Sequence, residues 1–119
     1  MFVGVQRLVL QIPGARSLKD RRQVVRSFKE RLQARLRVSV AEVGNLEHPG
    51  SATIAVAVVS NEAATCDEML AKAASMAGTL PDAVLADRAT EIVPFGFAGQ
   101  GIRGGIEQLG DYNPLDEDD

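Results

Sequence analysis

The first forty residues hold most of the positive charge of the chain. Ten of the thirteen Lys and Arg residues lie there against two acidic residues, which gives a local charge of +8. The remaining 79 residues carry three basic and fourteen acidic residues, or −11. Lysine and arginine bind phosphate oxygens and release counterions, largely without regard to base sequence. The chemistry available to this segment is therefore the binding of a polyanion or of an acidic partner.

The strongest candidates lie at and just after the start of a predicted helix. Positive side chains there face the positive end of the helix dipole, which is unfavourable for the helix itself. Their presence suggests a role beyond helix stability, since free N–H groups at a helix start already favour anions. The candidate binding residues are Arg16, Lys19, Arg21 and Arg22, followed by Arg26 and Lys29. The alternative interpretation is a solvated helix face that only keeps the protein soluble.

Several residues of types that are common in active sites and metal sites lack the neighbouring residues that such sites require. These are the G-x-G-x-x-G of Gly99, Gly101 and Gly104, and the single residues His48, Cys66, Ser17, Glu42 and Glu91. No strand follows the glycine motif, and neither the histidine nor the cysteine has a partner at metal-ligand spacing. The two glutamates could balance Arg7 or Arg88. We therefore predict no catalytic residues, no metal, no cofactor and no enzymatic activity.

Hydrophobic periodicity predicts the elements that position the basic residues. Strands are expected over 2–12, 37–44, 51–60 and 83–93, and helices after Ser17 and over 62–77. Ser17 and Asp20 resemble a capping box, and Ser60 or Asn61 is expected to cap the second helix. The first helix has an apolar stripe of Leu18, Val25, Phe28, Leu32 and Leu36, and its basic face lies on a different side.

The order β-α-β-β-α-β favours an α+β ferredoxin-like sandwich, in which one antiparallel sheet carries both helices on one face. The other face would then expose Val3, Val5 and Val9, which implies a partner, a second copy or the chain's own tail. We predict a domain over 1–93 and a Gly-rich extension with an acidic C-terminus over 94–119.

Composition narrows the class of protein further. The N-terminal "MFVGVQRLVLQIPG" has no charged region before its apolar run and is interrupted by polar residues, so we expect neither a signal peptide nor a membrane span. One cysteine excludes an internal disulfide and fits a cytoplasmic location. Aromatic residues make up 4% of the chain, which counts against base-stacking platforms.

The blocks "IPGARSLKDRR", "SVAEVG" and "AVVSN" occur in this order along the chain. Together they resemble the small bacterial YlxP-like family of unknown function, and the resemblance covers residues 1 to about 93. It implies a ferredoxin-like fold and, because members are often encoded beside ribosome-maturation genes, a connection with RNA or the ribosome. The chain departs from the family in lacking a Trp between the second and third strands and in carrying the extra tail.

Two functions are expected from these observations. The first is a non-enzymatic cytosolic factor that docks its basic first helix on structured RNA or the ribosome. The second is a protein-interaction module, for example a partner of a GTPase or scaffold protein, that uses the basic helix, the bare sheet face or the tail. A homodimer is compatible with both.

Overall fold

The computed structural model describes residues 1–44 and 48–96. Its elements are β1 (Phe2–Gln11), α1 (Leu18–Arg35), β2 (Ser39–Val43), β3 (Ser51–Ser60), α2 (Ala63–Gly78) and β4 (Val84–Pro94). All six predicted elements are present, and most of their ends lie within one residue of the predicted ends. β2 is the exception, because it begins two residues later than predicted.

The four strands form one antiparallel sheet in the order β2-β3-β1-β4. Both helices pack on the same face, α2 against β1, β3 and β4, and α1 against β2 and β3. The predicted α+β ferredoxin-like sandwich is therefore confirmed. β2 and β4 are the edge strands, so the flank of α1 that borders β2 also borders an edge of the sheet.

The core lies between the helices and the inward residues of β1 and β3. Leu8, Leu10, Ile54 and Val56 are fully buried there, as strict alternation along a half-buried strand requires. Gly4 occupies the same face, where an added Cβ would stand 2.8 Å from Leu70 Cδ1 on α2. The absence of a side chain at Gly4 is what lets α2 approach β1 so closely.

Ser17 caps α1 as predicted, because its hydroxyl accepts a hydrogen bond from the Asp20 N–H at 3.2 Å. The reciprocal half of the box differs. The Asp20 carboxylate accepts from the Arg16 N–H at 3.1 Å, one residue before the cap. Two backbone N–H groups at the helix start are therefore hydrogen-bonded, that of Arg16 before the helix and that of Asp20 in its first turn.

The cap of α2 was predicted at Ser60 or Asn61, and this prediction was wrong. The N-cap is Glu62, whose side chain makes no capping hydrogen bond. Ser60 remains in β3, where it is paired with Phe2 across the sheet. Its hydroxyl accepts from the Glu62 N–H at 3.1 Å, so it supports the turn that precedes the helix.

The sheet face away from the helices carries the apolar residues that the alternation of β1 predicts. Val5 and Val59 are 45% and 63% exposed, and Val93 on β4 is also exposed. The pairing register places Val3 between Val59 and Val93 on the two neighbouring strands. None of the described elements covers this face.

Candidate nucleic-acid interface

Five of the six predicted binding residues reach solvent along α1 or just before it. They are Arg16, Lys19, Arg22, Arg26 and Lys29. The last three lie one helical turn apart at positions i, i+4 and i+7, so they share one flank of the helix. Arg16 precedes the helix, and Lys19 lies in its first turn, three residues before Arg22 and therefore on the same flank.

Arg22, Arg26 and Lys29 line a groove of about 400 Å³ between α1 and the edge strand β2. Its other lining residues are Val25, Glu30 and Gln33 of α1 and Glu42 of β2. The three basic residues span about 10 Å of helix axis at 1.5 Å per residue. That length is enough for each cation to meet a different phosphate of one backbone, since successive phosphates of a duplex strand are about 3.4 Å apart along the axis.

Arg21 does not belong to this surface, which corrects its place among the predicted binding residues. It is 1% exposed, and its guanidinium lies beneath the groove. Its Nε–H donates to the Ser51 carbonyl at 3.0 Å, and its Nη2 group is paired with the Glu42 carboxylate. Arg21 therefore ties α1 to β2 and β3, and it is not available to a ligand.

The Arg21–Glu42 pair also sets the electrostatics of the groove. Glu42 would otherwise place an unbalanced negative charge against any bound phosphate. Because Arg21 neutralises it from the core side, Glu30 is the one acidic residue left to offset the three basic side chains. Within residues 1–44 and 48–96, none of those three side chains has an acidic oxygen within 4 Å. The groove thus has a net positive charge and donors available to a ligand.

The spacing of α1 contains the signal that separates Arg21 from its neighbours. Positions 21, 25, 28 and 32 follow the i, i+4, i+7 rule of one helix face, and the other three are Val25, Phe28 and Leu32. An arginine in that register is expected to be buried and paired. The acidic partner could not be found in the same way, because it lies on a different element.

The remaining candidate residues have structural roles or lie outside the described part. Arg7 pairs with Asp87 at 3.2 Å across β1 and β4, and not with Glu42 as one alternative held. His48 accepts a hydrogen bond from the Gly50 N–H at 3.2 Å. Cys66 is buried under β1 and β3. The G-x-G-x-x-G motif and the rest of the predicted extension from residue 97 onward lie outside the described residues.

In the part of the chain that the structure describes, no group of three or more His, Cys, Asp or Glu side chains is arranged to hold a metal ion. Neither of the two helices is apolar enough over a sufficient length to cross a membrane.

Comparison with known proteins gives a family and a distant structural likeness. A family described as "Protein of unknown function (DUF503)" matches residues 3–90. No curated protein matches the chain. A de novo designed protein with a ferredoxin fold, solved by solution NMR, is 9% identical with a TM-score of 0.42, over 82% of this chain and 90% of that chain.

Proposed function

We propose that this chain, which belongs to the DUF503 family of proteins of unknown function, is a non-enzymatic factor that binds the phosphate backbone of structured RNA in the groove between α1 and β2. The observation that carries the proposal is the row of Arg22, Arg26 and Lys29 along one groove, with no acidic partner among the described residues. Basic side chains aligned along a groove suit a polyanion that runs through it.

The groove also indicates which kind of RNA would bind. No aromatic side chain lines it, and Phe28, the aromatic residue of α1, is fully buried. Single-stranded RNA is usually held by stacking its bases on aromatic residues, whereas a duplex is held by its shape and backbone. The lining therefore favours structured over single-stranded RNA. Ribosomal RNA is the specific proposal, on the resemblance to the YlxP-like family.

The test is fluorescence anisotropy with a labelled 20-base-pair RNA duplex of mixed sequence, measured from 50 to 200 mM KCl. Three phosphate contacts predict that log Kd rises with log salt with a slope of about 2 to 3. Reversing two charges, Arg22→Glu with Arg26→Glu, is expected to weaken binding at least tenfold and to lower the slope by about 2. The single-stranded RNA of the same length is expected to bind more weakly than the duplex.

The matched control is Arg35→Glu with Lys72→Glu. Both residues are exposed and lie outside the groove, and the pair changes net charge by the same amount. This control is expected to keep the duplex affinity within about threefold and the slope unchanged. Equal losses in the two double variants would show that total charge alone governs binding, and the groove would then not be the site.

A second candidate function, protein interaction, is favoured by the exposed apolar sheet face. Capture of the tagged protein from its own cytosol, with and without nuclease and at two salt concentrations, separates the two. Ribosomal particles that are lost on nuclease or salt treatment would favour RNA binding. A discrete protein that survives both treatments would favour an adaptor that binds an acidic partner or a partner of the sheet face.

A further inference from the structure

The open sheet face is close in size to one side of a protein interface. Two of its strands have ten residues, one has eleven and one has five. At about 4.8 Å between strands and about 3.4 Å per residue, the flat area of the sheet is roughly 600 Å². A standard protein interface buries about 800 Å² on each partner.

In its middle part, the outward surface of the sheet is complementary in shape to a second copy of itself. On β1 the outward residues Val3, Val5 and Val9 form a ridge of branched side chains, interrupted by Arg7. In the middle of the face, smaller residues stand beside this ridge on β3, because Val5 is paired with Ala57 and Arg7 with Ala55. Large side chains thus stand beside alanines at these two levels, whereas at the two ends the partners on β3, Val59 and Thr53, are themselves branched.

We propose that a second copy of this chain covers the face, in a two-fold symmetric dimer whose axis runs parallel to the strands between β1 and β3. This symmetry places β1 of each copy over β3 of the other at the same level. In the middle of the interface, Val5 of each copy then lies above Ala57 of the other, and Arg7 lies above Ala55. The arrangement is isologous and closes at two copies. Its sheets stack face to face about 10 Å apart, as in a β-sandwich.

Charge favours a second copy over the C-terminal segment as the occupant. Residues 97–119 contain one basic and six acidic residues, a net charge of −5. The outward charges of the face are Arg7, Asp87 and Glu91, which are already net negative. A segment with a net charge of −5 would be repelled there more strongly than the face of a second copy, on which one arginine offsets one of the two acids.

The inference stands apart from RNA binding, because the basic groove lies on the helix side of the sheet. Sedimentation equilibrium of the full chain between 5 and 500 μM is the primary measurement, and a dimer mass at the higher concentrations is expected. Val5→Lys and Ala57→Glu, each with a native circular dichroism spectrum, are expected to weaken association at least tenfold. Val5→Thr keeps a β-branched side chain for the strand and is expected to weaken it several-fold. The control Ala64→Glu, at an exposed position in the first turn of α2, is expected to leave the dimer intact.

Mixing tests the arrangement itself. In a dimer of one Val5→Lys copy and one Ala57→Glu copy, the lysine meets the glutamate and the other contact remains Val over Ala. The mixture is therefore expected to associate at least tenfold more tightly than either variant alone. A wild-type monomer at 500 μM, an undiminished dimer in folded Val5→Lys or Val5→Thr, or no recovery on mixing would each overturn the proposal. A monomer would leave the face to residues 97–119 or to another protein.

Discussion

Replacing Arg21 and Arg22 by methionine, one at a time, separates stability from binding at two adjacent positions. Arg21 is 1% exposed and is paired with Glu42 and the Ser51 carbonyl, whereas Arg22 is exposed and lines the groove. Methionine keeps an unbranched apolar stem at both positions and removes only the guanidinium. We expect Arg21→Met to lower stability and to weaken RNA binding only indirectly, through the Glu42 charge that it leaves unbalanced in the groove. We expect Arg22→Met to weaken RNA binding directly, with little change in stability.

The expected loss of stability depends on the groups that each substitution leaves without a partner. Removing one partner of a buried ion pair costs about 3–5 kcal/mol, because the other charge remains buried without compensation. The Glu42 side chain is 19% exposed, so water can partly solvate it, and the loss is expected near the lower end of that range. A loss of about 3 kcal/mol corresponds to a fall in Tm of about 12–24 °C for a domain of this size. Arg22→Met is expected to change the free energy of unfolding by no more than about 0.5 kcal/mol.

A second substitution at Glu42 shows whether the loss comes from the stranded charge. In the double variant Arg21→Met with Glu42→Leu, no buried carboxylate remains, and apolar replacement of a buried pair is often neutral or stabilising. The Ser51 carbonyl still loses its donor, at a cost of about 1 kcal/mol. We therefore expect the double variant to be about 2 kcal/mol more stable than Arg21→Met alone.

Urea unfolding followed by circular dichroism at 222 nm measures five proteins: the wild type, the three single variants Arg21→Met, Arg22→Met and Glu42→Leu, and the double variant. Anisotropy on the same RNA duplex is the second readout. A cost below about 1 kcal/mol for Arg21→Met would refute the assignment of Arg21 to a buried pair. Costs that add in the double variant would show that the Arg21–Glu42 contact carries no coupling energy. A loss of RNA affinity in folded Arg21→Met that Glu42→Leu does not restore would return that arginine to the binding surface.

Two further predictions concern other parts of the chain. Gly4→Ala is expected to destabilise the fold by about 1–3 kcal/mol in urea unfolding, because the new Cβ would lie 2.8 Å from Leu70 Cδ1 and 3.1 Å from Cys66 Cβ; a neutral change would show that α2 can shift away. Neutralising the last four residues (Asp116→Asn, Glu117→Gln, Asp118→Asn and Asp119→Asn) is expected to tighten RNA binding several-fold at 50 mM salt and less at 200 mM, since screening shortens the reach of the repulsion. An affinity that does not change at either salt concentration would contradict it.

The sequence predicts the fold well because the relevant patterns are local. The alternation of β1, the run of β3 and the Ser17–Asp20 cap each use neighbours within a few residues, and all three were confirmed. The cap of α2 was missed because Ser60 has a competing long-range partner. Its pairing with Phe2 keeps it in the sheet. The residues near Ser60 in the sequence do not indicate that pairing.

The candidate site is less accessible to sequence reasoning, because it depends on which elements become neighbours. The basic flank of α1 follows from helical spacing, but the groove exists only because β2 lies beside it in the sheet. The sequence suggested Arg7 or Arg88 as the partner of Glu42, whereas in the structure the partner is Arg21 of α1. Burial of Arg21 could have been predicted from its register, whereas its partner required the topology.

A basic groove can attract phosphate on a protein that is acidic as a whole, because salt screens the repulsion from distant acidic residues. The chain has a sequence pI of about 5.1, yet the Debye length at physiological ionic strength is only about 8 Å. Described acidic residues outside the groove include Glu62 at the N-cap of α2, Asp67 and Glu68 in its second turn, and Asp87 and Glu91 on β4. α2 and β4 pack on the β1 side of the sheet, and α1 packs on the β2 side. This separation lets the groove attract phosphate while the rest of the surface repels it, so a polyanion would approach from the α1–β2 edge.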